Sequence, residues 1–231
     1  MKPEDFLYLD SEVIISVKYI DYGLNELKHL TGSPDSNHLA FYLLSNGFER
    51  LMKCIICFWE YKKNSTFPDV RKYGHNIKWL KQDIIKICYD MNYPNRCSAC
   101  KEDVNYMEKD FLLNNTVDLL SKLGRKTRYY NFDKLMRVKI EYDDPNNVIS
   151  KIEKEIIEQN EFLKKIQFDI KQERIFISGL NRDLMNVFRR FARALCRLFT
   201  LGDLGEEVAR MYSHVSKFIN ILDSDLEQIT E

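Results

Sequence analysis

Few residues in this chain combine a reactive type with a suggestive spacing. Arg71 and His75 stand with three residues between them, and Arg210 and His214 repeat that interval near the C-terminus. An unperturbed imidazole titrates near neutral pH and can exchange a proton with a ribose hydroxyl, while a neighbouring guanidinium would stabilise charge developing on a phosphorane. The plainer reading of Gly74-His75-Asn76 is the start of a helix, where glycine supplies an unusual backbone angle and a polar side chain meets exposed N–H groups. Arg210 and His214 fall one turn apart in a helical pattern and read as a polar stripe. His29 and His38 flank the first turn with no evident partner.

Cys54-Ile55-Ile56-Cys57 and Cys97-Ser98-Ala99-Cys100 each place two thiols at the spacing that suits a tetrahedral zinc ion. The first pair lies inside an apolar run between Met52 and Phe58, where cysteine behaves as a small buried hydrophobe. Only the second, in the polar stretch after Pro94-Asn95-Arg96, has the exposure a metal or redox role needs. Cys88 and Cys196 read as core. No metal site and no cofactor is expected.

Two cationic stretches are candidates for a polyanion. From Arg125 to Lys139 there are six basic side chains against one acidic, interleaved with Tyr129, Tyr130 and Phe132. Such a mixture can neutralise phosphates and stack on unpaired bases, with Arg125, Lys126, Arg128, Tyr129 and Tyr130 at its centre. The alternative is that the aromatics pack back on the protein while the cations stay solvated. Arg182, Arg189, Arg193 and Arg197, with Arg190 adjacent, line one helical face opposite Leu184, Val187, Phe188, Phe191, Leu195 and Leu198. Residues 201–231 carry seven acidic side chains against Arg210 and Lys217, so neutralisation of that stripe within the chain is expected.

The elements that must position these groups are helices. Eight glycines and five prolines in 231 residues disfavour a turn-dense β-protein, and the apolar positions recur at three- and four-residue intervals. The pattern predicts helices over about 11–30, 36–61, 75–91, 101–123, 148–174, 180–200 and 204–229, with breaks at Thr31-Gly32-Ser33-Pro34, Gly124, Gly179 and Leu201-Gly202. Asp143-Asp144-Pro145-Asn146-Asn147 is the best linker signal. The expectation is an all-α protein: a helical bundle over 1–142 and a C-terminal helical hairpin packed on it over 143–231. Charge is balanced at 35 basic and 35 acidic residues, which gives no global nucleic-acid signal. No apolar run approaches the length of a membrane span and the N-terminal residues do not form a secretory leader, so a soluble, reduced, cytoplasmic protein is expected.

Phe41-Tyr42-Leu43-Leu44-Ser45-Asn46-Gly47-Phe48-Glu49-Arg50-Leu51-Met52-Lys53, followed by Arg71-Lys72-Tyr73-Gly74-His75-Asn76-Ile77-Lys78-Trp79-Leu80, resembles helical-bundle proteins of the HEPN superfamily. There, a helix of the form Y-L-L-x-x-G-x-E-x-x-L-K precedes a helix start of the form K-x-x-G-H-x-L-x-x-L. Arg128 to Asp133 looks like a segment that follows the bundle in such proteins, so the resemblance spans roughly residues 35 to 135. It implies a helical bundle that often dimerises and serves in prokaryotic defence or toxin–antitoxin pairs, with RNA or an antitoxin protein as partner. Ribonuclease members carry Arg, four to six residues, then His, converging at a dimer cleft. Arg71 and His75 depart from that spacing, which disfavours cleavage even where the fold agrees. The expectation is therefore a homodimeric protein that acts by binding RNA or protein. The alternatives are a metal-independent endoribonuclease using Arg71 and His75, and a non-catalytic scaffold.

Overall fold

The structure, a computed structural model, describes residues 1–31, 34–125, 130–137 and 144–226. Among the described residues there are ten α-helices and no β-strand, which bears out the all-α expectation: α1 (Pro3–Leu27), α2 (Pro34–Asn64), α3 (Ile77–Asp90), α4 (Ser98–Lys109), α5 (Phe111–Arg125), α6 (Tyr130–Leu135), α7 (Pro145–Gln159), α8 (Glu161–Ile166), α9 (Glu173–Arg197) and α10 (Tyr212–Ile219).

The two longest elements of the N-terminal half, α1 and α2, pack against each other along most of their length. A Cβ placed on Gly47 would lie 2.7 Å from Cγ1 of Ile20, 2.9 Å from its backbone nitrogen and 3.0 Å from the Ser16 carbonyl. Glycine at 47 is thus what lets the two backbones approach. The Arg50 guanidinium reaches Glu12 at 2.6 Å across the same crossing. On its other side α2 meets α3 and α5, and the Ser45 hydroxyl donates to the Leu120 carbonyl at 3.2 Å. Phe48 is wholly buried, its ring 4.8 Å from Phe191 and 5.9 Å from Phe188 on α9. One hydrophobic cluster runs from α1 through α2, α3, α4 and α5 into α7, α9 and α10.

Several helix limits differ from the sequence expectation. The first helix begins at Pro3, not near Ser11, because proline at the first position and Glu4 and Asp5 in the first turn suit a helix N-terminus and Phe6 and Leu9 already pack on the core. The expected 101–123 helix is two, parted at Asp110, whose backbone is extended and whose carboxylate accepts from Leu113 N at 2.8 Å. The expected 148–174 helix breaks at Asn160, whose side chain caps α8 through Phe162 N and Leu163 N. Gly179 breaks nothing: it is buried within α9, where packing outweighs the roughly 1 kcal/mol that glycine costs a helix interior. The expected 204–229 helix is reduced to α10 with 3₁₀ turns over 208–211 and 223–226.

Candidate functional site

The Gly-His motif lies where a 3₁₀ turn over 70–73 meets the N-terminus of α3. Asp69 caps the turn, and its carboxylate also takes Arg71 Nε at 2.8 Å and Nη2 at 3.3 Å. Those hydrogen bonds hold the Asp69 carboxyl below its ordinary value. The Arg71 side chain is 90% exposed, and among the described residues no hydrogen bond or ion pair joins it to His75.

The reversal that follows carries the geometry. Gly74 has φ +51° and ψ −126°, with nothing within 4 Å of where a Cβ would sit, so backbone conformation alone calls for glycine here. Asn76 then caps α3 by accepting from Trp79 N at 3.3 Å, as the helix-start reading of this run requires. Between them, His75 is turned onto α2, where its Nδ1 lies 2.8 Å from Oε2 of Glu49. The other oxygen, Oε1, accepts from Lys53 Nζ at 2.6 Å, and Lys53 also donates to the Gly74 carbonyl at 2.9 Å. Glu49 is buried whereas half of the imidazole is exposed. A neutral imidazole donating through Nδ1 to this carboxylate keeps its lone pair on Nε2, the atom then able to accept a proton.

Glu49 and Lys53 thus join His75 in place of Arg71. Both belong to the Gly-x-Glu…Lys pattern of α2. The signal for them in the sequence is an acidic residue between Phe48 and Leu51 on an apolar helix face, with a lysine one turn on.

Of the basic-aromatic segment, Arg125 closes α5 and Tyr130 opens α6. Their side chains, and the whole of Lys126, Arg128 and Tyr129, lie outside the described residues. Of the described remainder, Asp133 is half-buried, while Phe132, 62% accessible, Lys134, Leu135, Met136 and Arg137 are exposed. Phe132 does not pack back on the bundle.

Four arginines of α9, Arg189, Arg190, Arg193 and Arg197, are engaged within the chain. Arg189 donates to the Asp225 carbonyl at 3.2 Å, and Arg193 bonds the Ile221 carbonyl at 3.0 Å and the Asp223 carboxylate at 2.7 Å. Arg193 holds the Asp223 carboxyl below its ordinary value. Arg197 turns elsewhere, to Asp103 of α4 at 2.7 Å, and Arg190 lies 4.4 Å from the centre of the Tyr106 ring. Burial pushes the Asp103 carboxyl up against the pull of Arg197. His214 meets Asp10 of α1 at 3.1 Å.

Cys54, Cys57, Cys88 and Cys196 are buried, and Cys97 is exposed. Among the described residues no group of three or more His, Cys, Asp or Glu side chains is arranged to hold a metal ion, and no helix is long and apolar enough to cross a membrane.

No protein-family model matches the chain, and neither a curated protein nor a solved structure is detectably similar to it.

Proposed function

We propose that this chain is a HEPN-like helical protein of a prokaryotic defence or toxin–antitoxin system, acting as a homodimer that binds RNA and does not cleave it. The observation that carries the reading is the exposure of Phe132 in a stretch flanked by Lys134 and Arg137, continuous in sequence with Arg125, Lys126, Arg128, Tyr129 and Tyr130. An aromatic ring held out among cations is what unpaired bases stack on, and every base offers a face to it. The arginine stripe of α9 is the weaker candidate, since Arg189, Arg193 and Arg197 already bond to carbonyls and carboxylates of this chain. Cleavage is disfavoured because Arg71 is bonded to Asp69 and the lysine beside His75 is bonded to Glu49 and Gly74.

Titration of a labelled single-stranded RNA at two salt concentrations tests this. Arg125→Ala with Arg128→Ala is expected to weaken affinity and to lower the salt slope by roughly one unit for each phosphate no longer neutralised. Unchanged affinity and slope would refute the assignment.

The second reading, a metal-independent endoribonuclease, draws on the Glu49–His75 contact, which orients the imidazole as a carboxylate orients a general base. RNA cleavage abolished by His75→Ala, in a variant that melts like the parent, would establish it in place of the first. An antitoxin-like product of the neighbouring gene that binds the purified protein would identify the protein partner.

A further inference from the structure

Cys97 and Cys100 play no part in the reading above, yet they form the most chemically specific thiol arrangement in the chain. Cys97 is the N-cap of α4, in extended conformation, and its sulfur accepts from Cys100 N at 3.3 Å. The two Sγ atoms are 2.9 Å apart. Their exposures are opposite: Cys97 is open to solvent, whereas Cys100, one turn along, is only 1% accessible. Closing the pair needs a side-chain adjustment of less than about 1 Å toward the roughly 2.05 Å of a disulfide.

The surroundings differentiate the two sulfurs. Arg197 donates to the Ala99 carbonyl at 3.4 Å, which brings a guanidinium to the first turn of α4, while the Tyr93 hydroxyl bonds Asp103 at 3.2 Å beneath Cys100. Hydrogen bonds from the Cys100 thiol and backbone push the Cys97 thiol below its ordinary value. Burial pushes the Cys100 thiol up to about 11. An accessible sulfur favoured as thiolate beside a buried one kept protonated is the division of roles between an attacking and a resolving thiol.

We propose that Cys97 and Cys100 form a reversible dithiol–disulfide site that reduces accessible disulfides of small thiols, Cys97 attacking and Cys100 resolving. The Cys97 thiolate attacks one sulfur of the substrate RSSR; that S–S bond breaks, RS⁻ leaves and takes up a proton, and a mixed disulfide joins Cys97 to R. Cys100 then loses its proton and attacks the Cys97 sulfur, expelling the second RS⁻, which is protonated in turn. The protein gives up two electrons and two protons, and the substrate becomes two RSH. The other cysteines on the core-facing helices take no part, because burial keeps them protonated and out of reach.

The test treats the full-length reduced protein with glutathione disulfide at neutral pH, quenches with alkylating reagent and maps the peptides by mass spectrometry. The parent is expected to yield a Cys97–Cys100 disulfide with glutathione released and no adduct retained. Cys100→Ser should stop at a stable glutathione adduct on Cys97, and Cys97→Ser should remain unmodified. Alkylation of Cys97 should also run roughly ten-fold or more faster than that of the buried thiols. A parent that stays reduced, retains glutathione on Cys97, or pairs Cys97 with any other cysteine would overturn the proposal. If a serine variant fails to fold, the peptide map of the parent decides alone.

Discussion

Replacing Gly47 by alanine isolates what the α1–α2 crossing contributes. In an unobstructed helix interior the change would stabilise by roughly 1 kcal/mol, since glycine is the poorer helix former by about that amount. Here the added methyl would meet Ile20 Cγ1 at 2.7 Å, Ile20 N at 2.9 Å and the Ser16 carbonyl at 3.0 Å. Two of those three atoms are backbone, so no rotamer change relieves the clash and α1 must move away by several tenths of an ångström. Overpacking of this kind costs about 1–3 kcal/mol, and because α1 touches α2, α9 and α10 the displacement spreads. Subtracting the propensity gain leaves a net destabilisation of up to about 2 kcal/mol, or up to roughly 8 °C in Tm for a chain of this size. Gly23→Ala is the comparison: its methyl would meet the Leu44 side chain at 2.7 Å and 3.0 Å and a single backbone atom, the Ala40 carbonyl, at 3.1 Å, so with less of the clash on backbone a smaller loss is expected. Urea unfolding of both variants, followed by circular dichroism, provides the measurement. A Gly47→Ala protein stabilised by the full propensity gain of roughly 1 kcal/mol would mean that the two backbones do not meet at this crossing.

Buried polar groups give further outcomes. Burial pushes the Lys81 ammonium down to about 8 from an ordinary 10.5, although it donates to the Met107 carbonyl and to Asn114. Between those values the unfolded chain holds the proton that the folded one has released, so this group's cost is full below about pH 8 and relieved as pH rises toward 10.5. Measured against Lys81→Met, the parent should gain on the order of 2 kcal/mol in stability between about pH 7 and pH 10; a constant difference would refute the assignment. Asn160→Ala removes the cap of α8 and leaves Asp183, bonded to Asn160 at 2.7 Å, a buried carboxylate without that donor. The expected loss is about 2–4 kcal/mol by denaturant titration, and a loss under about 1 kcal/mol would show the contact to be dispensable. Arg189→Ala with Arg193→Ala should lower the melting temperature by a few degrees while leaving RNA affinity nearly unchanged, the reverse of Arg125→Ala with Arg128→Ala.

Helices were legible where apolar periodicity was strong, as from Leu39 to Phe58, and their limits were not where a single polar side chain decided them. Asp110 and Asn160 look like ordinary polar residues of a long amphipathic pattern, and only the extended backbone at each shows that the side chain has become a cap. At the candidate site, the Gly74 reversal and the cap at Asn76 could be read from residue type. The partner of His75 could not, because Glu49 lies on another helix and the contact depends on how α2 and α3 pack. The pairing of Arg71 with Asp69 is local in sequence, two residues apart, but an aspartate before a short turn serves equally as a backbone cap, and residue type does not show that it takes the guanidinium as well. Charge counting anticipated that the acidic stretch 201–231 would neutralise the arginine stripe; Asp223 does so at Arg193, Arg189 takes a backbone carbonyl instead, and Arg197 finds its carboxylate far back on α4 at Asp103.

The packing of Phe48 against Phe188 and Phe191 has a consequence for the order in which the protein can be made. Synthesis delivers α1 and α2 first, and their crossing closes between neighbours in the chain, but the aromatic face of α2 has no cover until α9 leaves the ribosome roughly 140 residues later. At roughly 5–20 residues per second that interval is about 7–30 s, long against the sub-millisecond collapse of a hydrophobic chain. Phe41, Phe48 and the apolar side chains around them must spend that time either against one another or against a chaperone. Nascent chains arrested before residue 188 should therefore sediment as aggregates or co-purify with a holdase, whereas chains released after Arg197 should not.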